Sequence, residues 1–152
     1  MGVVSVDHIS FPTGNAERLL EFYRRLGFAV VGEADWRAGR HPVVGLAFGD
    51  TKINIHPEEL VERRGEPWYL RPPNAEPGCA DLCFVWEGGL DALAEHLASI
   101  GVDVIAGPSV KTGGRRQDGG RGVSLYLRDP DDNLLEFMSY APEDLERYAA
   151  DK

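Results

Sequence analysis

The pentapeptides LGFAV, residues 26–30, and IGVDV, residues 100–104, decide the fold. Each joins the end of a helical pattern to the start of a strand pattern through one glycine. Glycine commonly ends a helix, because it adopts positive φ at little steric cost. Gly101 follows Gly27 by 74 residues, about half of the 152-residue chain. Two copies are too few for a solenoid, so the spacing indicates two similar halves.

The first half has the pattern of one strand, one helix and three strands. VVSVDHISF, residues 3–11, is rich in β-branched and apolar residues, which favours a strand. Residues 16–26 place leucine and aromatic side chains at spacings of three and four, which predicts an amphipathic helix. Three strands are predicted after Gly27, with Gly49-Asp50 as a hairpin turn: 28–33, 43–48 and 52–56.

The second half repeats this order and predicts the fold class. It has a strand at 81–86, a helix at 90–100, and then strands at 102–106, 123–128 and 134–140. We therefore expect an α+β fold, in which two tandem βαβββ modules form an open, cupped mixed β-sheet. The predicted segments of this one domain are module one at 3–57, a connector at 58–78, module two at 79–140 and a C-terminal helix at 142–151. Residues 107–122, rich in glycine and basic residues, are predicted to form a mobile loop.

Composition excludes several classes of function. The net charge is −9 without a long run of one sign, which argues against nucleic acid as a partner. No apolar run approaches the roughly 20 residues that cross a bilayer, and the N-terminus lacks the pattern of a signal peptide. Cys79 and Cys83 are the only cysteines, and their spacing on a strand makes a disulfide difficult. We expect a cytoplasmic protein with reduced cysteines.

Four polar residues stand out on predicted strands. His8 alternates with Ile9 and Phe11, so it faces away from the apolar side of its strand. Asp81 takes the corresponding place in the second half. Glu136 is flanked by apolar residues, and His56 ends its strand. Two imidazoles and two carboxylates suit a divalent ion such as Zn²⁺, Ni²⁺, Mn²⁺ or Fe²⁺.

Each of these residues has a simpler interpretation. His8 and His56 are also consistent with exposed or otherwise satisfied polar side chains. Asp81 is also consistent with a turn residue after Pro77-Gly78, and Glu136 with the partner of an arginine.

Five motifs together resemble the vicinal-oxygen-chelate superfamily, which includes glyoxalases, bleomycin-resistance proteins and dioxygenases. They are VDHISF at 6–11, LLEFYRRLGF at 19–28, FGDTKINIHP at 48–57, GCADLCF at 78–84 and RDPDDNLLEFMSY at 128–140. The resemblance is closest to a small glyoxalase-like branch that includes virulence proteins. It implies the glyoxalase/bleomycin-resistance/dioxygenase fold for nearly the whole chain.

The resemblance also implies metal ligands. It places them at His8 in the first strand, at Glu136 in the last, and at Asn54 or His56 in the fourth. We prefer His56, because imidazole is the better ligand. The family's usual histidine is replaced here by Asp81, and the glycine of its usual DPDG turn by Asp132.

The implied function is metal-dependent chemistry on a small oxygen-rich substrate, as a lyase, isomerase or dioxygenase. Glu136 or Asp81 would act as general base. Arg115 and Arg116 of the basic loop would bind an anionic substrate, and Trp68 would form a wall of the pocket. The alternatives are a metal-free antibiotic-binding protein and a non-catalytic scaffold. A homodimer is expected from the family.

Overall fold

The computed structural model describes residues 2–115 and 117–149, without the side chains of residues 117 and 118. The chain divides into two compact units. Unit one is Met1–Ala80 with Pro130–Asp132, and unit two is Asp81–Asp129 with Asn133–Lys152. None of the helices in the described part of the chain combines the length and hydropathy needed to cross a membrane.

Unit one contains one four-stranded mixed sheet and three helices. The elements are β1 (His8–Pro12), α1 (Ala16–Leu26), β2 (Ala29–Val31), α2 (Glu33–Arg37), β3 (Val44–Phe48), β4 (Thr51–His56) and α3 (Glu58–Glu62). The strand order is β1-β4-β3-β2, with β1 parallel to β4 and the other pairs antiparallel. The core of this unit consists of buried apolar side chains from the strands and from α1, among them Leu20, Leu46 and Ile53.

Helix α1 begins and ends as its sequence predicts. The Asn15 side chain accepts a hydrogen bond from the backbone N–H of Arg18 at 2.9 Å, which satisfies a free donor of the first turn. Glu58 accepts a second one from the N–H of Ala16 at 2.9 Å. Gly27 ends the helix with φ of 105°, a left-handed conformation that favours glycine.

Unit two repeats the arrangement. Its elements are β5 (Asp81–Val85), α4 (Leu90–Ser99), β6 (Ala106–Thr112), β7 (Arg121–Arg128), β8 (Leu134–Ser139) and α5 (Pro142–Ala149). The strand order is β5-β8-β7-β6, with β5 parallel to β8 and the other pairs antiparallel. Leu93, Leu127 and Leu135 are fully buried, as the apolar face of α4 and the apolar face of the sheet require.

The order of elements confirms the predicted fold class of two βαβββ units. Three details differ from the predictions. Strand β1 begins at His8 rather than residue 3, because its ladder with β4 begins at the pair His8 and Lys52. The short helix α2 was not predicted. The predicted strand at 102–106 was wrong, since β6 is Ala106–Thr112 and lies largely in the predicted loop.

The misplaced strand has a physical explanation. Val102–Ala106 has β-branched character, but the partner strand decides which residues pair. Strand β7 pairs with Ser109, Val110, Lys111 and Thr112, after a shift in register between Ala106 and Ser109. Glycine and proline at 107 and 108 fit this irregularity, since such residues occur at bulges and edge strands.

Candidate functional site

The sheet of unit one has one buried face and one open face. Ile53 and Ile55 of β4 are fully buried. The alternate residues of β4 point to the opposite face, and the register aligns them with β1. The aligned pairs on this open face are His8 with Lys52, Ser10 with Asn54 and Pro12 with His56.

His8 and His56 lie at opposite ends of this face. The register separates them by four residues along the strands. This corresponds to roughly 13 Å at about 3.3 Å per residue. The side chain of His8 is 46% exposed, and its Nδ1 lies 2.6 Å from Oδ1 of Asp7. Asn54 lies only two residues from His8 in register and is therefore the nearer potential ligand.

His56 is held by the connector. Its Nδ1 forms a hydrogen bond of 2.6 Å with the Tyr69 hydroxyl, and the two ring centroids are 5.4 Å apart. The half-buried position lowers the pKa of His56, because burial penalises the charged imidazolium. His56 therefore has a structural role that does not need a metal ion.

A cavity of about 290 Å³ opens on the polar face of unit one. Its lining includes Lys52, Asn54 and His41. Gly45 pairs with Asn54 in the β3–β4 register and also lines this cavity; a Cβ at Gly45 would lie 2.7 Å from Cγ2 of Val31, so the position has no room for a side chain.

The open face of unit two carries acidic groups instead. In the β5–β8 register Asp81 pairs with Leu134 and Cys83 pairs with Glu136. In the β7–β8 register Tyr126 pairs with the same Glu136. Glu136 therefore lies between Cys83 and Tyr126 in one row across three strands.

Desolvation, and after it the acidic groups of this face, raise the pKa of both neighbours of Glu136. The pKa of the Cys83 thiol is raised to about 12, first by desolvation and then by the Glu136 and Asp81 carboxylates. The pKa of Tyr126 is also raised to about 12, by desolvation and by Glu136. Both groups are therefore protonated at neutral pH and available as hydrogen-bond donors to Glu136.

Arg115 lines a second cavity in unit two. The cavity measures about 370 Å³ and is also lined by Val85, Trp86 and Tyr140. The Arg115 guanidinium lies 5.2 Å from the centre of the Tyr140 ring, a cation–π distance. Val85 lies on the same face of β5 as Asp81 and Cys83, because residues two apart on a strand point the same way. This cavity therefore adjoins the acidic face.

Trp68 lies in a groove of about 500 Å³ within unit one. Trp36, His41 and Leu60 also line this groove, which lacks the proposed metal ligands. Trp68 is 50% exposed, and the Arg63 guanidinium stacks 4.6 Å from the ring centre.

The structure brings only two of the four predicted ligands near each other in register, Asp81 and Glu136. Asp81 shares the open face of unit two with Glu136, and His8 and His56 share that of unit one. Among residues 2–115 and 117–149, no three His, Cys, Asp or Glu side chains lie close enough to hold a metal ion. Arg116 lies outside the described residues.

Sequence reasoning missed Tyr126 and the role of Cys83. Alternation within SLYLR at 124–128 places Tyr126 opposite Leu125 and Leu127, which was a usable signal. The row that these residues form with Glu136 depends on the pairing of three strands, which alternation within one strand does not reveal.

Comparison with known proteins identifies the family. The model of the glyoxalase/bleomycin resistance protein/dioxygenase superfamily matches residues 5–137. The chain belongs to this superfamily. Its fold typically binds small molecules, and divalent metals are often bound as well.

Two curated relatives and one solved structure illustrate the match. The chain is 36% identical to the glyoxalase domain-containing protein RDO1 of Mycosarcoma maydis over 140 residues, covering 92% of this chain and 70% of RDO1. It is 32% identical to virulence protein STM3117 of Salmonella typhimurium over 136 residues, covering 89% and 83% of the two chains. The crystal structure of STM3117 superposes with a TM-score of 0.75 at 30% identity, covering 93% of this chain and 100% of that one.

Proposed function

We propose that this protein is a metal-dependent enzyme that acts on a small oxygen-rich substrate by chelation of two substrate oxygens. The reaction class is that of a lyase, isomerase or dioxygenase. The observation that supports this function is the pair Asp81 and Glu136, two residues apart in register on one open face. Carboxylates gathered on one face are costly unless a cation, donor or water compensates them.

Each unit has two donors of the chemical kinds that a divalent ion accepts. Unit two supplies the carboxylates of Asp81 and Glu136. Unit one supplies His8 with Asn54, an imidazole and an amide oxygen that are also two residues apart in register. These are donors that Zn²⁺, Ni²⁺, Mn²⁺ and Fe²⁺ accept. His56 stays an alternative to Asn54, although its distance from His8 and its bond to Tyr69 favour Asn54.

The proposed chemistry divides between the ion and the side chains. When bound, the ion supplies Lewis acidity to substrate oxygens. Glu136 or Asp81 accepts the proton taken from the substrate, as general base. Arg115 binds an anionic group of the substrate in the adjoining cavity, where a guanidinium pairs well with a carboxylate. We assign Arg116 the same role from its place in the sequence.

Metal content tests this function directly. The untagged protein is loaded with Zn²⁺, desalted and measured by elemental mass spectrometry, and we expect about one bound ion per chain. The double variant His8→Ala/Glu136→Ala is expected to lose it. Glu95→Gln removes a carboxylate from the exposed surface of α4 and serves as the control that keeps the ion. A wild-type protein without metal after loading contradicts the metal-dependent function.

The aromatic groove favours a second candidate function, the metal-free binding of an antibiotic or similar ring compound. Two indoles line it, and each lies under a guanidinium: Trp36 under Arg37 at 5.2 Å and Trp68 under Arg63 at 4.6 Å. Arg37 is paired with Glu17 and Glu33 in turn. Because the cations are already paired, the groove suits an uncharged planar ligand.

Indole NMR signals test this second function. The chain has three tryptophans, of which Trp86 lines the separate cavity of unit two. Titration with 2-naphthol after treatment with a chelator is expected to shift the Trp36 and Trp68 signals to saturation, whereas saturation of the Trp86 signal alone would assign the binding to the other cavity. A linear shift without saturation contradicts a binding site. Dimerisation and a cytoplasmic location stay predictions from the sequence.

A further inference from the structure

The row Cys83–Glu136–Tyr126 is the most unusual feature of unit two. The strand register places a thiol and a phenol directly opposite the two sides of one glutamate. Directly paired residues on neighbouring strands have Cβ atoms about 4.5–5.5 Å apart, so their side chains interact. Desolvation and the Glu136 carboxylate together raise the pKa of the Tyr126 hydroxyl and of the Cys83 thiol, as a nearby acceptor of their protons does.

The two donors differ in strength. A phenol is a strong donor, and its bond to an ionised carboxylate is charge-assisted. A thiol is only a weak donor. Tyr126 is half-buried, and it lies on a strand whose neighbouring residues Leu125 and Leu127 belong to the core. Tyr126 is therefore the partner that can hold the carboxylate in one orientation.

We propose that Tyr126 is a positioning residue, whose hydroxyl fixes the Glu136 carboxylate in the orientation needed to bind a metal ion or accept a proton. This inference rests on the proposed function for its consequence, but the contact itself does not depend on a metal. Partners of this kind orient metal ligands in many proteins, and their loss costs roughly 10–100-fold in metal affinity. Cys83 contributes a weaker contact from the opposite side.

The open face of unit one has no side chain in the position that corresponds to Tyr126. The residue of β3 that pairs with Asn54 is Gly45, which has no side chain to reach the amide. The structure thus assigns a fixed acidic group to unit two alone.

Tyr126→Phe tests the proposal, because it removes one hydroxyl and keeps the ring. The first measurement is the side-chain carboxyl ¹³C resonance of Glu136 in chelator-treated protein, assigned with Glu136→Gln. Loss of the hydrogen bond is expected to move this resonance. The second measurement is Zn²⁺ affinity by competition with a chromogenic chelator, which is expected to fall about 10–100-fold. Thermal unfolding confirms that both proteins are folded.

Tyr148→Phe is the matched control. Tyr148 lies on α5 beside Arg147, and its loss is expected to change neither the Glu136 resonance nor the affinity. An unmoved Glu136 resonance in Tyr126→Phe overturns the positioning role, whatever the metal content. If the Glu136 resonance moves but the Zn²⁺ affinity is unchanged, Tyr126 orients the carboxylate without contributing to metal binding, and that part of the proposal is overturned. A moved resonance in a protein whose wild type binds no Zn²⁺ supports the positioning role and contradicts the proposed function instead.

Discussion

The two sheets have the same strand order, and three of the four strands in each pair in the same register, yet the sheets present different chemistry on their open faces. Four positions correspond when the registers are superposed. The pairs are His8 with Asp81, Ser10 with Cys83, Asn54 with Glu136 and Gly45 with Tyr126. Unit two has three acidic or weakly acidic side chains around one glutamate, whereas unit one has an imidazole, a hydroxyl group and a glycine around one amide.

The difference separates two tasks. Gly45 packs against the Val31 side chain, and a cavity of about 290 Å³ lies beside Asn54. Tyr126 occupies the corresponding place in unit two and contacts Glu136. A repeated fold thus keeps the backbone that presents four positions, while the side chains diverge to supply space in one unit and charge in the other.

The equivalence of Asn54 and Glu136 leads to the prediction with the largest effect. If Asn54 is the ligand from β4, Asn54→Ala is expected to lower the Zn²⁺ affinity about tenfold or more. Loss of a residue that only orients a ligand already costs about tenfold or more. His56→Ala is expected to change it less than about threefold. His56 lies four residues from His8 in register and is bonded to Tyr69, so its loss removes no metal donor. Chelator competition measures both affinities.

Asn54→Asp sharpens the same comparison, since it gives unit one the charge that unit two has at this position. We expect tighter Zn²⁺ binding, because a carboxylate is a better ligand than an amide. If His56→Ala lowers the Zn²⁺ affinity more than Asn54→Ala does, His56 is supported as the ligand. That result contradicts the correspondence of Asn54 and Glu136 as metal ligands.

Much of the fold follows from local sequence patterns. Helices α1 and α4 were predicted because apolar periodicity and terminal glycines are properties of short segments. The open-face positions of His8, Asp81 and Glu136 were predicted from alternation within single strands. Strand β6 and the choice between Asn54 and His56 depend on pairing between strands, which a single segment does not specify.

In the turn before β8, the sequence predicts the backbone of a single residue, Asp132. Asp132 replaces the glycine of the family's usual turn, and the structure gives it a φ of 68°. This is the left-handed conformation that Asp and Asn tolerate better than most residues. The substitution therefore keeps the turn, as expected from its sequence.

The two main helices are capped differently, which leads to a second prediction. Helix α1 uses its own Asn15, whereas the first N–H of α4, that of Leu90, donates to the Asp144 carboxylate of α5 at 3.0 Å. Asn15→Ala is expected to lower the free energy of unfolding by about 1 kcal/mol. Asp144→Ala is expected to cost about 2 kcal/mol, because Asp144 is only 5% exposed and its bond is charge-assisted. Urea unfolding measures both.

Asp144→Asn is the conservative control, since its amide oxygen still accepts the bond from Leu90 and should recover part of the loss. A larger cost for Asn15→Ala than for Asp144→Ala would show that the distant cap adds nothing beyond a local one.

The smallest expected effect concerns pH, and it again compares corresponding positions. His56 in unit one corresponds to Met138 in unit two, so His56→Met exchanges a titratable group for the apolar residue of the other unit. Burial lowers the pKa of His56 in the folded state, so the unfolded chain binds the proton more readily. The stability from the neutral ring is fully present above the ordinary histidine pKa of about 6.5 and is lost as pH falls through the lowered folded value. Urea unfolding at pH 8 and pH 5 is expected to show a smaller loss of stability on acidification for His56→Met than for wild type. An equal loss in both proteins would mean that other groups account for the acid sensitivity and that the half-buried imidazole, despite its bond to Tyr69, contributes nothing to it.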